Sequence, residues 1–239
     1  MTVLPAAVLP VAVLVVAVLA AANLLNNRFA TRWYLATSPL AVGLLLVLYA
    51  ASGAPWTGAG LGAGALRRGA PAALAFAGLV ALAYLVLALL PATRPVFLDR
   101  RARGAGPGEL AYQVLLRIPL GTVLLEEVAF RGVLYGLLLP RGAVVATAVS
   151  AVLFGLWHIL PSAELTRLNP VAGRAFAGRR ALLVAVTVVG MAAAGVVLCE
   201  AQRRTGSLLP PVALHWAVNG FAYATAYLVG RGTVSRRLR

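Results

Sequence analysis

The sequence predicts an all-α protein, a polytopic membrane bundle of about seven transmembrane helices. The 239 residues are 62% hydrophobic and 11% charged, with a mean hydropathy of +0.91. Soluble domains are only about 45–50% apolar and carry about 25% charged residues. The apolar residues also form runs of about 20 residues, the length that crosses the hydrocarbon core of a bilayer. Together these features exclude a soluble globular enzyme.

Seven apolar runs are candidate spans, at residues 3–22, 34–51, 72–91, 110–139, 143–160, 181–199 and 210–229. The first run has no basic segment before it and is long for a signal peptide, so we expect it to be retained. Residues 51–70 are rich in Gly and Pro and are expected to form a surface loop or a short interfacial helix. In the fourth run, Pro119 and Gly121 predict a bend after which the helix turns inward.

The basic residues predict the orientation of the chain. All 21 are arginines, and nearly all lie between apolar runs, which is typical of topology-setting charges rather than of a nucleic-acid-binding face, so no nucleic-acid partner is expected. Fourteen fall on one side (Arg28, Arg32, Arg94, Arg100, Arg101, Arg103, Arg167, Arg174, Arg179, Arg180, Arg231, Arg236, Arg237 and Arg239), and five on the other (Arg67, Arg68, Arg141, Arg203 and Arg204). The positive-inside rule then places the C-terminus in the cytoplasm and the N-terminus outside. Arginine without lysine, with abundant Ala and Gly, indicates a GC-rich genome and hence the plasma membrane of a bacterium.

Six candidate site residues lie inside apolar runs, where an ionisable side chain costs about 2.5–3.5 kcal/mol on insertion scales. They are Glu126, Glu127, Arg131, His158, His215 and Asn219. Each alone has a structural explanation: the Glu127–Arg131 pair could only neutralise charge, and a lone histidine often only hydrogen-bonds a neighbouring helix. Their joint occurrence on three runs predicts instead one polar cavity inside the bundle.

The spacing suggests a role for each residue type. Glu126 lies about 100° around the helix from Glu127, so it can point elsewhere and take a proton from water. His215 and Asn219 are separated by one helical turn and could donate hydrogen bonds to an oxyanion. This combination suits amide hydrolysis in an intramembrane cavity. A non-catalytic membrane scaffold or immunity protein, or an ion-coupled transporter, are the alternatives.

The order of three motifs resembles the CPBP (Abi) family of intramembrane proteases, which includes the type II CAAX prenyl endopeptidases and bacteriocin-processing or self-immunity proteins. The motifs are Glu126-Glu127-x-x-x-Arg131, Phe154-x-x-x-His158 and His215-x-x-x-Asn219. The likeness covers about residues 109–230. It implies an N-terminal transmembrane region at 1–108, with three spans and loops, and a catalytic helical core with a basic tail at 109–239.

The resemblance also implies roles for the site residues. Glu126 and His158 would activate water, His215 and Asn219 would stabilise the oxyanion, and Glu127 and Arg131 would hold the site together. The substrate would be a membrane protein or peptide in the lipid bilayer. One departure is that CAAX endopeptidases generally have an eighth span, whereas this chain shows seven apolar runs.

A metal-independent mechanism is favoured, so no cofactor is expected. Zinc is the alternative, with Glu126, His158 and His215 as its ligands, since two histidines and a glutamate match many catalytic zinc sites. Against zinc, the sequence has no HExxH pair, and Arg131 would bring positive charge near the cation.

The predicted spans leave one conflict of depth. His215 lies only five residues after Pro210, near the predicted outer end of its run, whereas Glu126 and His158 lie toward the cytoplasmic half of the membrane. At a rise of about 1.5 Å per residue, the difference in depth is about 10 Å. The conflict disappears if the connection at residues 198–211 enters the bundle, or if the fifth span continues past Pro161.

Overall fold

The structure, a computed structural model, describes residues 8–62 and 64–237, with side chains as far as residue 231. This part of the chain is helical and has no strand, as predicted. The main helices are α1 (Val8–Leu24), α2 (Tyr34–Ala51), α3 (Ala65–Leu89), α4 (residues 107–138), α5 (Ala143–Trp157), α6 (Arg180–Thr205) and α7 (Leu209–Arg237). Shorter helical turns lie at Leu25–Phe29, Thr31–Trp33, Arg94–Phe97, Arg100–Ala102, Leu139–Arg141, Ile159–Ser162, Leu165–Leu168 and Pro170–Ala175.

Within the described residues, five helices are long and apolar enough to cross a membrane: Val8–Phe29, Thr31–Ala51, Ala65–Leu89, Ala143–Ser162 and Arg180–Thr205. The chain is therefore an integral membrane protein. The other two predicted runs form α4 and α7, the helices that carry most of the polar candidates, and that they cross the membrane stays a prediction. The predicted start of the first span at residue 3, and Arg239 of the tail, lie outside the described residues.

Helix α4 is continuous but not regular. It runs through Pro107–Tyr112, Gln113–Val123, Leu124–Glu126, Glu127–Leu134 and Tyr135–Leu138, and its second and fourth segments are π-helical. Pro119 has no backbone N–H to donate, and the N–H of Leu124 bonds to the carbonyl of Pro119 five residues back. Single π-helical turns often occur at functional sites. The second π-helical segment of α4 begins at Glu127, directly after Glu126.

The main apolar core joins the N-terminal helices to α4. Val15 of α1 and Leu45 of α2 pack with Leu125 and Phe130 of α4, and all four side chains are buried. Helix α3 lies along α7, and α6 lies along α5. The residues before 109 therefore form one side of the bundle that encloses α4.

The surface loop or short interfacial helix expected at residues 51–70 is found only in part: Trp56 and Leu61 lie in an exposed loop, but other parts are buried or helical. Helix α3 begins at Ala65, and the loop before it enters the bundle, where Ala59 is fully buried. The amide of Leu208 donates to the carbonyl of Gly60 at 3.1 Å. Gly60 has φ +70°, and a Cβ there would lie 2.7 Å from the Leu208 nitrogen. Glycine is thus what lets this loop reach the start of α7, a contact between distant segments that composition could not reveal.

Candidate active site

Glu127 is the fully buried centre of the polar cluster. Its Oε1 accepts a hydrogen bond from Arg131 Nη1 at 3.1 Å and a second from His215 Nδ1 at 2.6 Å. The predicted pair one turn apart on α4 is therefore also an anchor for the first histidine of α7. Breaking such a buried pair on one side leaves an uncompensated charge, which costs about 3–5 kcal/mol.

Glu126 faces the two histidines with one carboxylate oxygen. Its Oε1 accepts a hydrogen bond from Trp157 Nε1 at 3.1 Å. Its Oε2 lies 3.9 Å from His158 Nε2 and 3.9 Å from His215 Nε2, and no described residue hydrogen-bonds to it. A polar contact longer than 3.5 Å can be completed by a bridging water. The buried oxygen is thus positioned to hold one water molecule against two imidazoles.

The hydrogen bonds assign the tautomers of the histidines. Nδ1 of His158 lies 2.8 Å from the carbonyl oxygen of Phe154, which can only accept, so this nitrogen carries the proton. Nδ1 of His215 likewise donates to the Glu127 carboxylate. In both rings Nε2 is left to face Glu126, which is the arrangement that proton transfer through a water would require.

Phe154 organises the aromatic wall of the cluster. The Arg131 guanidinium carbon lies 3.9 Å from its ring centroid, over the face, and both histidines meet the ring edge to face, at 4.7 Å for His158 and 6.1 Å for His215. The face of an aromatic ring attracts a cation. Phe154 therefore contacts the guanidinium through its face and packs against both imidazoles in T-shaped pairs.

The depth conflict is removed by the connection before α7. Helix α6 ends at Thr205, Gly206 takes a left-handed conformation, and Ser207 and Leu208 are buried. This connection enters the bundle, which is the first of the two expected solutions. It brings His215, on the second turn of α7, level with Glu126.

Asn219 is the one predicted site residue without a contact in the cluster. It lies on α7 one turn after His215 and is half-buried, and no hydrogen bond joins its amide to another described residue. The structure thus brings five of the six predicted residues into direct contact or within 3.9 Å of one another, with Asn219 next along the same helix.

Two supporting residues were missed by the sequence reasoning. Trp157 binds Glu126, and it precedes His158 directly in the chain, which was the only available signal. Asn23 of α1 donates from Nδ2 to the backbone carbonyl of Trp157 at 2.9 Å. An asparagine near the end of an apolar span was visible in the sequence, but its partner 134 residues away was not.

The side chains are not arranged as a preformed zinc site. Tetrahedral zinc with ligands at about 2.0–2.2 Å places neighbouring ligand atoms about 3.4 Å apart. The distances from Glu126 Oε2 to the two imidazole nitrogens are both 3.9 Å, and within the described residues no group of three His, Cys, Asp or Glu is arranged to hold a metal ion.

Comparison with known proteins identifies the segment that carries this cluster. Residues 108–221 match the family model described as Type II CAAX prenyl endopeptidase Rce1-like. No curated protein and no solved structure matches the chain. The resemblance predicted from the three motifs is confirmed, and the matched segment begins one residue before the predicted catalytic region.

Proposed function

From the match of residues 108–221 to the Rce1-like model of type II CAAX prenyl endopeptidases, we propose that this chain is an intramembrane endopeptidase, an enzyme of class EC 3.4, acting on a membrane protein or peptide. The observation that carries the proposal is the buried Glu126 Oε2, which faces two imidazole nitrogens at 3.9 Å and has no hydrogen bond from a described residue. A carboxylate beside an imidazole in a site with little solvent is suited to general-base catalysis.

Charge balance supports distinct roles for the two histidines. Glu126 and Glu127 contribute two negative charges and Arg131 one positive charge, so a protonated His215 makes the buried cluster neutral. Its Nδ1–H already donates to Glu127, and the protonated Nε2 is then a donor. His158, whose Nδ1 meets a backbone carbonyl rather than a carboxylate, accepts at Nε2.

The proposed reaction uses this asymmetry. A water held by Glu126 and His158 attacks the carbonyl carbon of the scissile amide, and Glu126 takes its proton. The oxygen of the tetrahedral intermediate accepts hydrogen bonds from His215 Nε2 and from the Asn219 amide. Glu126 then gives the proton to the amide nitrogen, the C–N bond breaks, and a carboxylic acid and an amine leave. Glu127 and Arg131 position His215 and do not touch the substrate.

The test is peptidase activity of the purified full chain in liposomes, against a library of membrane peptides that includes a prenylated CAAX peptide. Glu126→Gln keeps the size of the side chain but removes the base, so we expect turnover to fall at least about 100-fold. Glu109→Gln, an exposed glutamate of the same helix, is the matched control and should retain wild-type turnover. Equal turnover of both variants would remove Glu126 from the mechanism.

A second pair of measurements tests the remaining roles. Asn219→Ala removes one donor to the oxyanion and should lower turnover by about 10²–10³. Exhaustive chelation should leave the activity unchanged, because the proposed base needs no metal. Loss of activity on chelation, restored by stoichiometric zinc, would replace the proposed mechanism with a zinc-dependent one.

A further inference from the structure

A second site is indicated by a cavity of about 710 Å³ beside the helical turns that follow α5. Its volume lies within the range of ligand pockets, about 300–1,000 Å³. Arg28, Arg167 and Arg180 line it together with one acidic residue, Glu164. Because Glu164 pairs with Arg167, the charge left in the cavity is that of Arg28 and Arg180.

These two arginines have no ion-pair partner among the described residues. Both are exposed, so their guanidinium groups are available to an anion from outside the protein. Arginine forms paired, parallel hydrogen bonds with carboxylate and phosphate groups. The free chemistry of the cavity is therefore anion binding.

The position of the cavity identifies the kind of anion. Three of the apolar segments long enough to span a membrane have an end there: Val8–Phe29 ends next to Arg28, Ala143–Ser162 ends in the cavity wall, and Arg180–Thr205 begins with Arg180. The ends of spanning segments lie at the boundary between lipid and water. The cavity thus opens where phospholipid headgroups are found.

The lining also contains apolar side chains, among them Ile159, Leu160, Phe176, Leu183 and Val184, beside the polar Asn27 and Thr166. A wall that combines arginine with aliphatic and aromatic side chains matches a molecule with a charged head and an apolar body. Free phosphate would use only the arginines. Basic pockets between membrane helices commonly bind anionic headgroups.

We propose that this cavity binds the phosphate-bearing headgroup of an anionic phospholipid, held by Arg28 and Arg180. This site is separate from Glu126 and its two histidines. Its lining includes Ile159, the residue after His158. The lipid would hold the end of α1, the start of α6 and the turns after α5 together at the membrane surface.

The test measures lipid binding and does not depend on peptidase activity. The detergent-solubilised full chain is titrated with phosphatidylglycerol, phosphatidylcholine and inorganic phosphate, and occupancy is read by native mass spectrometry. Each arginine near an anionic surface is worth about a fivefold change in affinity, so two predict about a 25-fold preference for phosphatidylglycerol over phosphatidylcholine. Inorganic phosphate should not displace the lipid.

Arg28→Gln and Arg180→Gln should each lower the preference about fivefold, and the double variant should abolish it. The matched control is the double variant Arg103→Gln and Arg141→Gln, which removes the same charge from exposed positions outside the cavity and should keep the preference. Persistence of the preference in the Arg28→Gln and Arg180→Gln double variant would overturn the proposal. So would its equal loss in the control, or displacement of the lipid by phosphate at the same concentration.

Discussion

Glu126 has two oxygens with different surroundings, and this difference defines its proposed role. Oε1 is held by the indole N–H of Trp157, while Oε2 faces two imidazoles across a gap of 3.9 Å. A carboxylate fixed at one oxygen loses less freedom when a reacting water binds the other. Trp157 is thus a positioning residue for the proposed base.

Replacing Trp157 by Phe should separate positioning from stability. The variant keeps an aromatic ring against Phe130 but loses the hydrogen bond to a charged group, worth about 1.5–3 kcal/mol. We expect kcat to fall about 10- to 100-fold with KM unchanged, because Trp157 does not touch the substrate in the proposed mechanism. The measurement is a steady-state rate series over substrate concentration.

The matched control is Trp216→Phe. Trp216 donates its indole N–H to the carbonyl of Val114 at 2.9 Å, also on α4, so this variant loses a similar bond away from the carboxylates. It should lower the thermal midpoint while kcat stays near that of the wild type. Equal losses of kcat in the two variants would show that Trp157 acts only through general packing.

Helices α5 and α6 approach each other closely, and glycine permits it. A Cβ at Gly155 would lie 2.5 Å from the backbone carbonyl oxygen of Val188, and one at Gly195 would lie 3.0 Å from the Cα of Ala151. Small residues commonly allow membrane helices to approach this closely. His158 lies three residues after Gly155, so the position of its imidazole depends on this contact.

Gly155→Ala should therefore destabilise the protein. A backbone atom cannot move as a flexible side chain can, and overpacking of this kind costs about 1–3 kcal/mol. We expect a lower thermal midpoint and, because α5 carries His158, a lower peptidase rate. Gly190→Ala on α6 is the control: nothing lies within 4 Å of its Cβ, and alanine is a better helix former by about 1 kcal/mol. A midpoint for Gly155→Ala equal to that of Gly190→Ala would contradict this account of the contact.

At the scale of the whole molecule, residues before the predicted boundary at residue 109 support the site together with those after it. Asn23 of α1 holds the carbonyl of Trp157, Gly60 holds the start of α7 through Leu208, and the apolar core runs from α1 and α2 into α4. The matched segment 108–221 thus carries the proposed chemistry, while the segment before it forms part of the frame. The bacterial source stays a prediction.

The orientation predicted from the arginines can be tested by labelling introduced cysteines, because the chain has only one cysteine of its own. Cys199 is buried, so it should label slowly with a membrane-impermeant maleimide. Arg141→Cys, on the predicted outer side, should label in intact cells, and Arg103→Cys should label only after the membrane is permeabilised. The reverse pattern would place the C-terminus outside.

The sequence by itself determined the class of the molecule and the identity of the polar cluster. Hydropathy and the absence of charge over long runs are local properties, and they identify helices in a membrane because the backbone there must satisfy its own hydrogen bonds. The pairing of Glu127 with Arg131 was equally predictable, since residues four apart lie on one helical face.

Only the tertiary structure decided how the helices align. His215 reaches Glu126 because residues 206–208 enter the bundle beside Gly60, and Glu126 is oriented by Trp157, 31 residues away in the chain. Such contacts depend on the register between helices, which is set by close packing at glycines and by buried loops. No periodicity within one helix contains that information, so five members of the polar cluster could be predicted, but Trp157 and the geometry of the cluster could not.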